Sequence, residues 1–308
     1  MAQVFYFFIF PGLLFASVAG GFLSWFDRKL TARLQFRVGP PMLQPFYDFV
    51  KLLAKETIVS SEAAKSLFLM APVFAVTGAC LSCVLIFIPV FGIGNGFQGD
   101  LIVIFYLMMV PTISYIIGAL ASGNPLLNLG ASREIKLLIG YEFSMLLVLA
   151  AIILKAGNTV SIHDIILLQQ QEGAFIGSLS GILLFIPLMM CVQAKLAFVP
   201  FDLADAETEI AGGIFLEFSG LTLALAKLAK YIMMLVLPSF VIVVLLGGFR
   251  LDGIHILWSL LKLIGLVLLI TLVRNTNPRL TVGQSLRFFF IWMNLIAVVA
   301  ILLAYAGL

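Results

Sequence analysis

Charged side chains interrupt the apolar segments of this 308-residue sequence, and they are the residues best suited to chemistry. Glu142 has apolar stretches on both sides, and Lys227 and Lys230 follow Glu217 by ten and thirteen residues. Because the two lysines are three residues apart, they share one face of a helix. A charge inside a membrane helix is costly and normally faces a bundle interior, a wet cavity or a partner. The pattern predicts a buried polar path in which the lysines supply the counter-charge of Glu142 or Glu217.

An acid-rich connection precedes Glu217. It contains four carboxylates in eight positions: Asp202, Asp205, Glu207 and Glu209. Crowded carboxylates raise one another's pKa, which allows proton exchange near neutral pH. Alone, such a loop is more often a solvated surface. Beside the acids and lysines of the apolar segments, and with Glu134 and Arg133 shortly before Glu142, it favours a proton path.

The composition indicates which solvent surrounds the elements that position these residues. The hydrophobic fraction is 62%, the charged fraction is 11% and the net charge is +3. Soluble domains carry about 25% charged residues, so this chain is expected to lie in lipid. Disorder is excluded by the apolar content, and a nucleic-acid partner is excluded because the small positive charge forms no basic stripe. No polar linker divides the chain, which predicts one integral membrane domain over residues 1–308.

The fold class predicted is all-α, a polytopic membrane protein of about eight transmembrane helices plus amphipathic surface helices. A span needs about 20 apolar residues. Surface helices are predicted at 45–55 and 161–171, the second with Ser161 and Asp164 in capping-box spacing. The sixth span is expected to break near Pro238. The predicted spans are 1–26, 66–89, 101–121, 135–154, 175–194, 217–246, 254–273 and 288–306.

The distribution of basic residues predicts the orientation. Thirteen Lys and Arg follow the odd-numbered spans, whereas two follow the even-numbered spans. Basic loops remain in the cytoplasm, so both termini are expected outside.

Cysteine and histidine spacing predicts no metal site. Cys80 and Cys83 form a CxxC inside an apolar run, Cys191 lies in another, and His163 and His255 lie outside these runs. Zinc and iron–sulfur sites need four converging ligands. The cysteines are therefore interpreted as small apolar helix residues.

Several motifs carry a family resemblance. Residues 199–209 and 216–220 resemble the signature of the H subunit of proton-pumping NADH:quinone oxidoreductase, which is subunit 1 in mitochondria, and of its hydrogenase relatives. Arg28-Lys29 with the later Arg37-Val38-Gly39-Pro40 is similar to that family's first cytoplasmic loop, and Tyr141-Glu142 is similar to its fourth-span acid. The resemblance covers nearly the whole chain.

The resemblance implies a membrane anchor subunit beneath a peripheral redox arm. It implies partners of hydrogenase type, namely large and small subunits with iron–sulfur clusters and a nickel–iron site, together with antiporter-like membrane subunits in a prokaryotic plasma membrane. No cofactor is implied for this chain. The proton path that the resemblance implies comprises Glu142, Asp202, Asp205, Glu207, Glu209 and Glu217. The pattern of charges described above adds Glu134, Lys227 and Lys230 to this predicted path. The implied docking residues are Arg28, Lys29, Arg33, Arg37 and Arg133.

The branch of the family is a separate prediction. Residues 130–134 and Lys227 resemble the energy-converting nickel–iron hydrogenases, and Lys230-Tyr231 departs from the quinone-reducing branch, which typically has an acid before the tyrosine. We therefore expect an ion-translocating subunit of a hydrogenase-like complex. The alternatives are the quinone-site subunit of NADH:quinone oxidoreductase and, less favoured, a stand-alone secondary transporter or a passive scaffold. Proton versus sodium, the redox partner, the direction of turnover and the full subunit composition stay open.

Overall fold

The computed structural model describes residues 2–94, 96–204 and 212–307. Within these ranges every regular element is a helix, which confirms the predicted all-α fold. Three short non-α turns occur at Phe175–Gly177, Gly213–Phe215 and, as a π-helix, Phe288–Met293. The α-helices, numbered in chain order, are α1 (Ala2–Phe8), α2 (Leu13–Leu34), α3 (Gln44–Leu53), α4 (Lys65–Val90), α5 (Asp100–Leu107), α6 (Val110–Ala121), α7 (Pro125–Lys155), α8 (Ile162–Glu172), α9 (Leu179–Lys195), α10 (Gly220–Leu245), α11 (His255–Thr276), α12 (Val282–Arg287) and α13 (Asn294–Tyr305).

The described residues contain the spans of a polytopic membrane protein. Seven helical segments are long and apolar enough to cross a bilayer, and α9 is a shorter apolar helix of 17 residues. Three of the seven segments combine shorter helices, namely Val4–Leu34 (α1 and α2), Asp100–Ala121 (α5 and α6) and Val282–Tyr305 (α12, the π-helix and α13). At 1.5 Å per residue α9 is about 26 Å long, slightly less than the hydrocarbon core. Together these eight segments match the predicted number.

Several predicted boundaries change in the structure. The first span divides into α1 and α2, because the chain turns at Pro11 and Gly12. Helix α7 starts ten residues before the predicted fourth span, so Arg133 and Glu134 lie on the helix itself. The predicted start of the sixth span at Glu217 is wrong, since α10 begins at Gly220.

The predicted break at Pro238 is also wrong. Helix α10 continues through this proline from Gly220 to Leu245. Proline removes one backbone hydrogen bond, which a helix tolerates when its neighbours hold both sides of the site. Helix α10 is enclosed in this way, because 89% of its apolar window is buried.

Close contacts fix α10 at the centre of the bundle, against α2, α4 and α3. The backbones of α2 and α10 meet at Gly20, where an added Cβ would lie 2.0 Å from the carbonyl oxygen of Tyr231. Only glycine permits this approach. The contact places the charges of α2 and α10 around a common space.

Both predicted surface helices are present as α3 and α8. The predicted capping box at Ser161 is wrong, because the Ser161 side chain makes no capping hydrogen bond. The buried Asp100 carboxylate instead accepts the Ile162 N–H at 2.7 Å. A side chain from α5 therefore satisfies the start of α8.

Candidate functional site

Glu142 is buried in α7 and paired with a cation that sequence reasoning missed. The Lys195 ammonium, at the end of α9, donates to Glu142 Oε1, and their side chains are 1% and 7% exposed. Lys195 Nζ also lies 5.6 and 5.4 Å from the ring centroids of Phe105 and Tyr141. A buried acid needs a counter-charge, but the sequence pattern placed Lys195 in a cytoplasmic loop, where a lysine is normally solvated.

Lys227 and Lys230 do not provide the counter-charge predicted for Glu142 or Glu217. Glu217 instead accepts a hydrogen bond of 2.7 Å from the Asn124 side-chain amide. The prediction failed because α9, not α10, brings a lysine against Glu142. The Lys230 ammonium lies over an aromatic ring, with its Nζ 4.3 Å from the ring centroid of Phe215.

A small cavity of about 30 Å³ lies beside the buried pair. Its polar lining includes Glu134, Lys195, Lys230 and Thr112. This volume can hold a water molecule, and the polar groups could hydrogen-bond to it. Glu134 is buried on the same helix as Glu142, two turns earlier.

A large cavity of about 270 Å³ lies next to the small one, and Lys230 lines both cavities. One wall carries Asp27, whose carboxylate accepts hydrogen bonds from Arg274 at 2.8 Å and from Thr271 at 2.9 Å. The other polar lining residues are Ser24, Arg28, Lys227 and Tyr231, and the apolar ones are Phe198, Phe215, Leu223, Ala226 and Met234.

These contacts connect six charged residues. Asp27 and Arg274 line the large cavity, and Lys230 lines both cavities. Glu134 and Lys195 line the small cavity, and Lys195 pairs with Glu142. We call this arrangement the buried charge path and define it as Asp27, Arg274, Lys230, Glu134, Lys195 and Glu142.

Asp202 is the described acid of the acid-rich connection, and it is not solvated. Its buried carboxylate forms an ion pair with Arg279 at 2.7 Å. Nearby, the Leu280 N–H donates to the Pro200 carbonyl at 3.1 Å. These contacts join the connection to the segment after α11. Asp205, Glu207 and Glu209 lie outside the described residues.

The predicted docking residues have two different environments. Arg33 and Arg37 are exposed at the end of α2, whereas Lys29 and Arg133 are half-buried. Arg28 lines the large cavity and pairs with Asp48 of α3 at 3.0 Å. Only some of this set is therefore presented at the surface.

The cysteines and histidines form no metal-binding group with the acids over 2–94, 96–204 and 212–307. Cys80 and Cys83 are buried on α4, and Cys191 is buried on α9. Cys191 Sγ donates to the Tyr141 carbonyl at 3.3 Å, and Cys83 Sγ donates to the Pro11 carbonyl at 3.4 Å. All three are packed as small interior side chains.

This chain is similar in sequence and fold to subunits of respiratory membrane complexes. The family described as NADH dehydrogenase matches residues 7–305. The H subunit of the NADH-quinone oxidoreductase of Thermomicrobium roseum is 33% identical over 85% of this chain and 84% of its own length. Subunit 8 of the Thermus thermophilus enzyme is 32% identical over 88% of this chain and 77% of its own length.

A solved structure extends this relationship to another complex. A chain of the membrane-bound sulfane sulfur reductase, an archaeal respiratory membrane complex, superposes with a TM-score of 0.86. It is 27% identical, and the match covers 95% of this chain and 96% of that one. The chain described here therefore belongs to the NADH dehydrogenase family of membrane subunits, as a homologue of the H subunit of NADH-quinone oxidoreductase.

Proposed function

We propose that this chain is the ion-translocating membrane anchor subunit of an energy-converting, hydrogenase-like respiratory complex. It couples redox turnover in a docked peripheral arm to the movement of protons or sodium ions. The observation that carries this proposal is the shared wall of the two cavities. Lys230 lines both, and Lys195 joins the small cavity to Glu142.

The pair of Glu142 and Lys195 provides a mechanism for gating. A proton delivered to Glu142 would neutralise its carboxylate and leave the ammonium without its counter-ion. Uncompensated buried charge is strongly unfavourable, so Lys195 would turn across the small cavity toward Glu134. Return of the ammonium would then expel the proton from Glu142. This cycle needs only side-chain rotation within a space that Glu134 and Lys195 already line.

The partners follow from the family relationship. We propose large and small peripheral subunits of hydrogenase type that hold iron–sulfur clusters, with a nickel–iron site if hydrogen is the redox partner, and antiporter-like membrane subunits. This chain itself holds no cofactor in the proposal. The similarity to a sulfane sulfur reductase complex supports the hydrogenase-like assembly and makes sulfur compounds a candidate acceptor.

The peripheral arm would dock at the end of the bundle that carries Arg33, Arg37 and the Asp202 connection. Arg33 and Arg37 are exposed there, as a docking surface requires. The same end carries most of the basic loops, so we place it in the prokaryotic cytoplasm, with both termini outside.

Quinone reduction is the second candidate, and the large cavity favours it. In a hydrogenase-like protein charged side chains are expected to fill this passage, yet about 270 Å³ stays open between Phe198, Phe215 and Met234. Apolar walls with a few polar groups suit a ligand headgroup. The charges Asp27, Lys230 and Arg274 on the same walls make the route polar and support the first candidate.

Removing the shared cation tests the path. Lys230→Met keeps the length of the side chain and removes its charge, so ions moved per redox turnover should fall about tenfold if the link carries them. The readout is ion uptake by vesicles that contain the intact complex, normalised to electron transfer. Lys136→Met is the matched control, because Lys136 is exposed on α7 and lines neither cavity. Unchanged translocation in Lys230→Met would remove this residue from the path.

A further inference from the structure

A third cavity, which the proposed ion path does not use, lies at the other end of the bundle. It has a volume of about 260 Å³ and is bounded by the turn after α8, the end of α10 and the first turns of α11. Helix α10 is 26 residues long, which separates this cavity from the Asp202 end by about 39 Å. The site therefore lies near the opposite surface of the membrane. We call it the Arg250 cavity.

The Arg250 cavity is cationic. Its lining includes Arg250, His255 and Lys262, and none of the described residues that line it is an Asp or a Glu. The Arg250 guanidinium donates to the Gln170 carbonyl at 3.2 Å. Lys262 Nζ donates to the Leu246 carbonyl at 2.5 Å and to a second carbonyl at 3.3 Å. Backbone oxygens thus hold both cations in place.

Compensation of the α10 helix dipole explains only part of this arrangement. A cation at the end of a helix is favourable, and Lys262 satisfies the last carbonyls of α10 in this way. Arg250 contacts the end of α8 in the same way, but its guanidinium has five N–H donors and the Gln170 carbonyl accepts one of them. The remaining donors of Arg250 can therefore bind an anion in the cavity.

The surface beside the cavity is apolar and faces outward. Ile254, Leu257, Trp258 and Leu261, in and just before the first turns of α11, are between 58% and 68% exposed. Trp258 also lines the cavity. Tryptophan is enriched where hydrocarbon meets the headgroup layer. An anion bound here would have room for acyl chains along α11.

We propose that the Arg250 cavity binds the headgroup of an anionic phospholipid. The phosphate lies between the Arg250 guanidinium and the Lys262 ammonium, and the acyl chains lie on the exposed face of α11. Guanidinium and phosphate form charge-assisted hydrogen bonds, which are stronger than neutral ones. A zwitterionic lipid brings its own cation into a cavity that already holds two, so it binds more weakly.

Photo-crosslinking of the intact complex tests this proposal. Phosphatidylglycerol with a diazirine in its acyl chain is added below saturation, and crosslinks are mapped to the peptide of α11. We expect a higher yield than with phosphatidylcholine that carries the same diazirine. Arg250→Gln should lower the phosphatidylglycerol yield about tenfold, and Arg250→Lys should retain most of it. Arg287→Gln, which changes an exposed arginine at the other end of the bundle and outside the docking residues, should have no effect.

Two results would overturn the proposal. The first is equal crosslinking by the two lipids in the unmodified complex, a comparison that does not depend on any variant. The second is an undiminished phosphatidylglycerol yield in Arg250→Gln, which would show that the lipid lies along α11 without a headgroup in the cavity.

Discussion

At the residue scale, the contact between Glu142 and Lys195 changes the meaning of both side chains. Each is buried, and each neutralises the other. Glu142 Oε2 accepts no hydrogen bond from the described residues. One oxygen of the carboxylate is therefore held by the lysine, and the other is available to receive a proton.

Glu142→Gln should block ion translocation, because the amide keeps the size of the side chain and cannot carry the proton. We expect translocation per turnover to fall at least about tenfold. The variant also leaves the Lys195 ammonium buried without its partner, which costs about 3–5 kcal/mol. Its thermal stability in detergent should therefore fall with its activity. Ion uptake by vesicles and the melting temperature are the two measurements.

The double variant Glu142→Gln, Lys195→Met separates the two effects. It removes both charges and should recover most of the thermal stability, while translocation stays blocked. Translocation at the unmodified level in either variant, at an unchanged redox rate, would show that Glu142 does not carry the ion.

At the element scale, the contact between α2 and α10 sets the shape of the large cavity. Asp27 and Arg28 on α2 face Lys227 and Lys230 on α10 across this space. Gly20 sets the distance between α2 and α10, because it contacts the Tyr231 backbone about two turns before Asp27 and Arg28 on α2.

Gly20→Ala should destabilise the protein. An alanine normally favours a helix over glycine by about 1 kcal/mol, but here the Cβ would lie 2.0 Å from a backbone oxygen that cannot rotate away. Overpacking of this kind costs about 1–3 kcal/mol or more. Gly265→Ala is the control, since a Cβ at Gly265 meets no atom within 4 Å. A melting temperature of Gly20→Ala equal to that of Gly265→Ala would contradict the close packing.

Docking of α3 onto the bundle should depend on pH through Asp48. Burial opposes ionisation of this carboxyl, but hydrogen bonds from Gln44 and Arg28 and the charge of Arg28 outweigh it, so the pKa of Asp48 lies below its ordinary value. A lowered pKa in the folded state stabilises docking above the unfolded pKa of about 3.9, and this contribution is lost as the pH falls through the folded pKa.

Hydrogen exchange of the α3 amides measures this effect. Protection at neutral pH should exceed protection well below the unfolded pKa of about 3.9, after correction for the intrinsic exchange rate. In Asp48→Asn we expect the lower protection at both pH values, because the amide cannot titrate. An unchanged acid response in Asp48→Asn would assign the effect to other groups.

At the scale of the whole molecule, the family membership and the charges on the large cavity predict which redox partners the complex uses. The intact complex should turn over with hydrogen or sulfur compounds and have no requirement for quinone, because Lys230, Arg274 and Asp27 place charges on the wall of the large cavity. Activity of the purified complex with each acceptor is the measurement. Quinone-dependent turnover that a competitive quinone-site inhibitor blocks would move the chain to the quinone-reducing branch. Copurification of a nickel-binding large subunit would support the hydrogenase branch.

The sequence alone determined the fold class, the number of spans and the family. These are local properties, because a run of about 20 apolar residues meets the thickness of the bilayer whatever surrounds it. The surface helices α3 and α8 were predictable from amphipathic spacing for the same reason. The motif around Asp202 and the acid at Glu142 were sufficient to indicate the family.

Only the tertiary structure decided how the charges are paired. Glu142 and Lys195 are 53 residues apart, and nothing in their spacing shows that α7 packs against α9. The same holds for Asp100, which takes the predicted capping role of Ser161 from another helix, and for Pro238, which the enclosing helices hold within a continuous α10. Pairing and cavities depend on which helix faces meet, and that is set by packing over the whole bundle.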